Sequence, residues 1–125
     1  MGLSKFSGFS VKKTIVAFGL AGVAGVTGCH SHYVEADVKN SSGAAVSLVE
    51  LDYPSASFGT ESLASGGVYH YRFKILGDGA TKILWTDAQR QDHSVSGPAL
   101  QEGQEGMLTV TITGGTALWS SRLGP

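Results

Sequence analysis

The chain has 125 residues, of which 42% are hydrophobic and 15% are charged. Nine basic and ten acidic residues nearly balance, which argues against the strongly basic surface that nucleic-acid-binding proteins use. The single cysteine, Cys29, excludes an intramolecular disulfide, so the fold must be stabilised by packing.

The first 28 residues have the order of charge and hydropathy that is typical of an export signal. Lys5, Lys12 and Lys13 come first, and an uncharged apolar stretch over residues 15–26 follows them. A basic start stays on the cytoplasmic side while the apolar stretch enters the translocon. The stretch is too short for a bilayer core, which needs about 20 helical residues. The pattern therefore predicts a signal helix that is removed with residues 1–28.

A motif at the end of this segment predicts what happens to the cysteine. Val26-Thr27-Gly28-Cys29 resembles the lipobox of bacterial lipoproteins, although Val26 stands where leucine is commoner. The resemblance implies cleavage between Gly28 and Cys29. It also implies a diacylglycerol thioether on the Cys29 sulfur and an N-acyl chain, such as palmitate, on the new amine. The alternative is an ordinary secretory signal cut nearby, with Cys29 left as a free thiol.

The predicted mature chain is acidic and begins with a short tether. Lys5, Lys12 and Lys13 leave with the signal, so six basic residues face ten acidic ones. This charge disfavours electrostatic docking on anionic lipid, and attachment is expected to depend on the acyl chains. Residues 29–33 form the lipidated tether. One domain over residues 34–123 follows, close to the membrane.

Period-two alternation of apolar and polar residues predicts most of this domain to be strands. A phase slip predicts a β-bulge near Leu48, and Pro54 is expected to end that strand. The turn Gly77-Asp78-Gly79 is predicted to join two strands into a hairpin, and Gly114-Gly115 is predicted to join two others. The main strands are predicted over residues 34–38, 44–53, 68–76, 81–87, 107–113 and 116–122. Weaker strands are predicted near 61–64 and 93–96, within or beside two long connections, 54–67 and 97–106.

This pattern favours an all-β fold, a small antiparallel β-sandwich of six to seven strands. In strand count and loop spacing the domain resembles an immunoglobulin-like or transthyretin-like module. It lacks the cysteine–tryptophan–cysteine core of true immunoglobulins. A small closed barrel is the alternative.

The sequence gives little support to an enzyme. It contains no Gly-x-Ser-x-Gly nucleophile elbow and no His-Glu-x-x-His metal motif. Carboxylates lie close in sequence at Glu50 and Asp52, and at Glu102 and Glu105. Because residues two apart on a strand share a face, Glu50 and Asp52 are expected to lie side by side. A solvated outer face explains them better than catalysis, and no catalytic residue is assigned.

Histidines are the weak candidates for a metal site. They are His30, His32, His70 and His93, and imidazole suits copper and zinc. His70 is expected on the polar face of its strand, where solvation is the default. No bound cofactor other than the lipid on Cys29 is predicted.

The sequence therefore predicts a lipid-anchored bacterial envelope protein that acts as a non-enzymatic binding or assembly module. Phe58, in a long connection, and Trp119, near an edge strand, are candidate contacts for an envelope protein partner. His30 occupies the position where aspartate often retains lipoproteins in the inner membrane, so the outer membrane is favoured in a two-membrane cell. A periplasmic lipoprotein that binds a small ligand, copper or zinc is the alternative function.

Overall fold

The computed structural model describes residues 32–125, where it contains eight β-strands and no helix. None of these residues therefore forms a helix able to cross a membrane. The all-β prediction is confirmed, with eight strands in place of six or seven. In chain order they are β1 Val34–Asn40, β2 Val46–Tyr53, β3 Ala56–Leu63, β4 Val68–Phe73, β5 Gly79–Thr86, β6 Asp92–Leu100, β7 Glu105–Thr113 and β8 Thr116–Gly124.

The strands form two separate four-stranded sheets, which confirms the sandwich and not the barrel. Sheet one has the order β8-β7-β1-β4, and sheet two has the order β3-β2-β5-β6. Neighbouring strands are antiparallel except β1 and β7, which run parallel with Val38 opposite Val110. The prediction of an antiparallel sandwich is confirmed, and this pair is the one parallel exception in residues 32–125. Since β1 and β7 are far apart in sequence, no hairpin forces them to run in opposite directions.

The core between the sheets follows from the alternating pattern. Every second residue is buried in β1, and in β7 from Leu108 onward, including Val38 and Val110. Sheet two contributes Ile83 and Trp85. The polar residues between them face solvent, as their period-two spacing requires. The buried hydrophobic side chains of both sheets form one cluster. Burial of this apolar surface, in the absence of a disulfide, holds the two sheets together.

The predicted bulge in β2 is confirmed at Leu48. The pairing of β2 with β5 shifts by one residue between Ser47 and Glu50. Leu48 has a φ of 50° and is 65% exposed, whereas Val49 is buried. The extra residue turns Val49 and Leu51 into the core, so β2 changes the face that it buries without ending.

The predicted hairpin between residues 68–76 and 81–87 is wrong. β4 pairs with β1 in sheet one, while β5 pairs with β2 and β6 in sheet two. Residues 74–78 therefore cross from one sheet to the other, and β4 ends at Phe73. Ile75 is buried within this crossing. Because it continues the alternation of Tyr71 and Phe73, the sequence predicted a strand that extends beyond the true end of β4. In contrast, the Gly114-Gly115 hairpin between β7 and β8 is confirmed.

The two predicted long connections are also wrong. Most of residues 54–67 form β3, which pairs with β2 through a hairpin whose loop is Pro54 and Ser55. Only Phe58 and Leu63 are buried in β3, five residues apart, so the strand shows no alternation. β6 runs on through Pro98 to Leu100, because a bulge opposite Thr81 accommodates the proline.

Candidate functional site

Part of the predicted site lies outside the described residues. Gly28, Cys29 and His30 precede His32, where the described chain begins. Lipidation of Cys29 therefore stays a prediction. His32 follows Cys29 by three positions, so a lipid on that cysteine would be close to the domain in the chain.

Phe58 lies inside the sandwich, with 7% of its surface exposed. It stacks on Tyr71 of sheet one at a ring distance of 4.4 Å. Beside this pair, Tyr53 of β2 and Phe73 of β4 lie 4.2 Å apart. These rings close the long side of the sandwich where β3 and β4 form the sheet edges. Phe58 is thus placed to hold the sheets together, and a role for it in partner binding stays a prediction.

Trp119 closes the opposite long side, where β8 and β6 form the edges. Its ring covers Gly97 of β6 so closely that a Cβ added at Gly97 would overlap the indole and the Thr81 hydroxyl. Trp119 is half-buried against the core. Its indole N–H is buried and has no hydrogen-bond partner in residues 32–125. Glycine at position 97 is therefore needed to seat the ring.

A shallow depression of about 400 Å³ lies on the outer side of the β2–β3 hairpin. Leu48 and Glu50 border it on β2, and Phe58 to Glu61 border it on β3. Glu50 and Asp52 lie side by side here, as predicted. A hydrogen bond to Asp52, and then the charge of that carboxylate, raise the pKa of Glu50 above 4.5. Glu50 is exposed, whereas Asp52 Oδ1 is buried and has no hydrogen-bond partner in residues 32–125.

His70 lies on the outer face of sheet one between two carboxylates. Its Nδ1 is 2.6 Å from Asp37 Oδ1, and its Nε2 is 2.7 Å from Glu35 Oε1. Glu35 also pairs with Arg72 at 3.2 Å. Asp37, followed by Glu35, raises the pKa of His70 above 6.5. Both ring nitrogens can donate only in the imidazolium form, which has no lone pair for a metal.

The other two described histidines lie apart from His70. His32 is exposed, with Nδ1 3.1 Å from Glu105 Oε1. His93 stacks on Trp85 at 5.0 Å and holds Asp87 Oδ2 at 2.7 Å through Nε2. Within residues 32–125, no three His, Cys, Asp or Glu side chains are arranged to hold a metal ion.

The end of the sandwich beyond Asn40 brings several loops together. Asn40 is 1% exposed, and its side-chain amide donates to the carbonyls of Ala44, Leu63 and Ala64 at 2.8–3.2 Å. These bonds tie the β1–β2 loop to the β3–β4 loop. A depression of about 230 Å³ lies among the loops of this end, which we call the loop end; its lining residues are Ser42, Ala44, Asp87, Ala88, Gln89, Gly114 and Gly115.

The Asp87–His93 pair shapes one wall of the loop end. Asp87 Oδ1 accepts the backbone N–H groups of Gln89 and Gln91 at 2.8 and 2.9 Å. The hydrogen bond from His93 is the main cause that lowers the pKa of Asp87 below 3.8, and the Gln91 N–H adds to it. Arg90, at φ 65°, completes this turn. The result is a fixed turn that presents the polar side chain of Gln89 beside the depression.

The sequence alone did not predict the loop end or the His70 cluster. Asp87, Asn40 and Ser42 look like ordinary turn residues, and the charged residues of β1 look like a solvated face. Each cluster depends on which strands are neighbours in the sheet. β1 pairs with β4 although 27 residues separate the two strands in the sequence. Glu35 and Asp37, two apart on β1, would have indicated the His70 cluster if the register between β1 and β4 had been known.

Comparison with known proteins adds no relative: no family model, curated protein or solved structure matches this chain.

Proposed function

We propose that this protein is a membrane-anchored lipoprotein of a bacterial envelope whose β-sandwich is a non-enzymatic binding or assembly module. One observation carries the proposal. The described domain begins three positions after the lipobox-like cysteine, and the loop end lies at the opposite end of β1 from that start. A lipid on Cys29 would therefore leave the loop end pointing away from the attachment point. Loops held on a rigid sandwich are a common recognition surface.

The finer fold relationship that we infer is the transthyretin-like one. An immunoglobulin constant domain places its first, second, fourth and fifth strands in one sheet. Here the first, fourth, seventh and eighth strands share sheet one. This strand order sets the chain apart from the immunoglobulin constant-domain arrangement, which leaves the transthyretin-like resemblance. The relationship concerns topology and assigns no activity.

The hydrogen bonding of the histidines supports a binding role over catalysis. Both nitrogens of His70 are held by carboxylates, so this ring is a poor general base. The Asp87–His93 pair resembles half of a catalytic triad. Within residues 32–125, however, no hydroxyl or thiol is hydrogen-bonded to His93 as a nucleophile would be. In the Glu50–Asp52 pair, Glu50 is exposed to solvent on the outer face of sheet two.

Fractionation of cells that express a Cys29→Ala variant tests the anchor. We expect the wild-type protein in the washed membrane pellet, in the outer membrane of a two-membrane cell, and the variant folded but soluble. A variant that stays in the pellet would contradict the lipid anchor.

Photo-crosslinking in living cells tests the binding role. A photoreactive residue at Gln89 should capture one dominant envelope protein, whereas the same residue at Ser120, on the outer face of sheet one, should capture little. Equal, weak capture at both positions would contradict a partner at the loop end. Calorimetry with copper and zinc would then examine the alternative, a small-ligand or metal-binding lipoprotein.

A further inference from the structure

One end of the sandwich collects the start of the described chain and three connections. We call it the anchor end; it comprises residues 32–33, 54–55, 74–78 and 101–104. The Tyr33 carbonyl accepts the Gly106 N–H at 3.2 Å, and the Ile75 carbonyl accepts the Gly103 N–H at 3.2 Å. The Asp78 carboxylate accepts the Glu102 N–H at 2.8 Å. These bonds fix the connections against one another, so the anchor end is a defined surface.

The chain length between Cys29 and His32 limits how far this surface could be from a lipid on Cys29. Three residues span at most about 10 Å when fully extended. The eight-residue strands of the sandwich are about 26 Å long, since each residue rises about 3.3 Å. The loop end therefore lies beyond the reach of the tether, and the anchor end lies within it.

The anchor end carries an exposed apolar side chain. Leu76 is 66% exposed in the crossing between β4 and β5. The other large hydrophobic side chains that are exposed in residues 32–125 lie on strands away from this end; they are Leu48, Val68, Tyr71 and Leu118. The Leu76 backbone N–H is held by the Ser55 hydroxyl at 3.4 Å. The backbone at Leu76 is thus tied to the β2–β3 loop.

Cationic and aromatic groups lie in the chain segments next to Leu76. The Arg72 guanidinium lies 4.0 Å from the centre of the Tyr33 ring, and the Lys74 ammonium lies 5.1 Å from it. Tyrosine and lysine are side chains that favour the headgroup region, since each combines an apolar body with a polar tip. Of the acids at or beside this end, Asp78 accepts the Glu102 N–H and Glu105 is paired with His32, while Glu102 is exposed.

We propose that the anchor end rests on the phospholipid surface that holds the lipid anchor, with Leu76 inserted at the headgroup boundary and Lys74 beside the phosphates. This inference depends on the proposed lipidation of Cys29. It gives the domain a fixed orientation, in which the membrane covers residues 74–78 and the loop end faces the partner.

The test uses the lipidated full-length protein in vesicles of phosphatidylethanolamine and phosphatidylglycerol. A Leu76→Cys variant is labelled with a fluorophore that responds to its environment, and Ser42→Cys at the loop end is the matched control. We expect lipid-attached nitroxides to quench the label at position 76 several-fold more than the label at position 42. Equal quenching in protein that floats with the vesicles would overturn the orientation alone. Protein that does not float would overturn the orientation together with the lipid anchor.

Amine footprinting of the unchanged sequence is a second measurement that does not alter Leu76. Lys74 should be acetylated several-fold more slowly in vesicles than in detergent. Lys82, exposed on the outer face of sheet two, should react equally in both. Equal reactivity of Lys74 in both conditions would overturn the proposed contact.

Discussion

At the scale of single residues, hydrogen bonding explains the behaviour of the polar side chains better than their residue type does. Three carboxylate and imidazole groups, Glu50, His70 and Asp87, have shifted pKa values, and the main cause of each shift is a hydrogen bond with a neighbouring side chain. His70 shows this most clearly, since Asp37 and Glu35 belong to the neighbouring strand. The protonated ring links the two carboxylates, so its charge is part of the fold.

The pH dependence of stability should report this link. Because the carboxylates raise the folded pKa of His70 above 6.5, its contribution is complete below pH 6.5 and is lost as pH rises through the folded pKa. NMR titration should give a His70 pKa above 6.5. Asp37→Asn should lower that pKa and flatten the stability curve in the same window. An unchanged His70 pKa in Asp37→Asn would contradict the link.

Gly97, like Gly59 and Gly106, is a position where the packing leaves no room for a Cβ atom. A Cβ there would overlap the Trp119 ring and approach the Thr81 hydroxyl. Gly97→Ala should therefore lower the free energy of unfolding by about 1–3 kcal/mol, as overpacking commonly does. Urea unfolding of the Cys29→Ala form would measure it.

Gly124→Ala is the matched control for this substitution. A Cβ at Gly124, on the other strand of the same long side, meets no atom within 4 Å. Its unfolding midpoint should stay near that of the parent. Equal unfolding free energies for Gly97→Ala and Gly124→Ala would contradict the close packing of Trp119 on Gly97.

At the scale of elements, the sequence predicted strands well where alternation was unbroken and poorly where a bulge or an edge interrupted it. β1 and β7 are the inner strands of sheet one, and every second residue of β1, and of β7 from Leu108 onward, is buried as predicted. β3 and β6 are edge strands of sheet two, so few of their side chains need to be apolar. The glycine, serine and proline content of these strands is typical of loops. Backbone pairing with the neighbouring strand is what makes them extended.

Asn40 links three elements at the loop end, and its removal should affect all of them. Asn40→Ala leaves the carbonyls of Ala44, Leu63 and Ala64 without their donor. We expect a loss of about 2–4 kcal/mol in the free energy of unfolding, because unpaired buried polar groups are costly. Hydrogen exchange should also become faster in the β1–β2 and β3–β4 loops.

Ser42→Ala provides the comparison for Asn40. The Ser42 hydroxyl bonds Asn40 Oδ1 at 2.6 Å but lies nearer the surface. Ser42→Ala should therefore lower the free energy of unfolding by about 1 kcal/mol or less. Equal losses in the two variants would show that Asn40 does not hold the loops together.

At the scale of the whole molecule, the fold class could be predicted from the sequence and the sheet arrangement could not. Local pattern indicates which residues face the core, whereas strand order depends on contacts between distant segments. The wrongly predicted hairpin between β4 and β5 shows the difference. The sequence Gly77-Asp78-Gly79 suits a hairpin turn as well as it suits a crossing between sheets. The candidate loop end was missed for the same reason, because its lining residues come from three separate connections.

Mass spectrometry of the protein purified from bacterial membranes tests the central claim, the lipid anchor on Cys29, most directly. We predict an N-terminal peptide that starts at Cys29 and carries the mass of a diacylglycerol and an N-acyl chain, with residues 1–28 absent. A peptide that starts elsewhere, or that contains Cys29 as a free thiol, would contradict the lipoprotein account and the membrane orientation that depends on it.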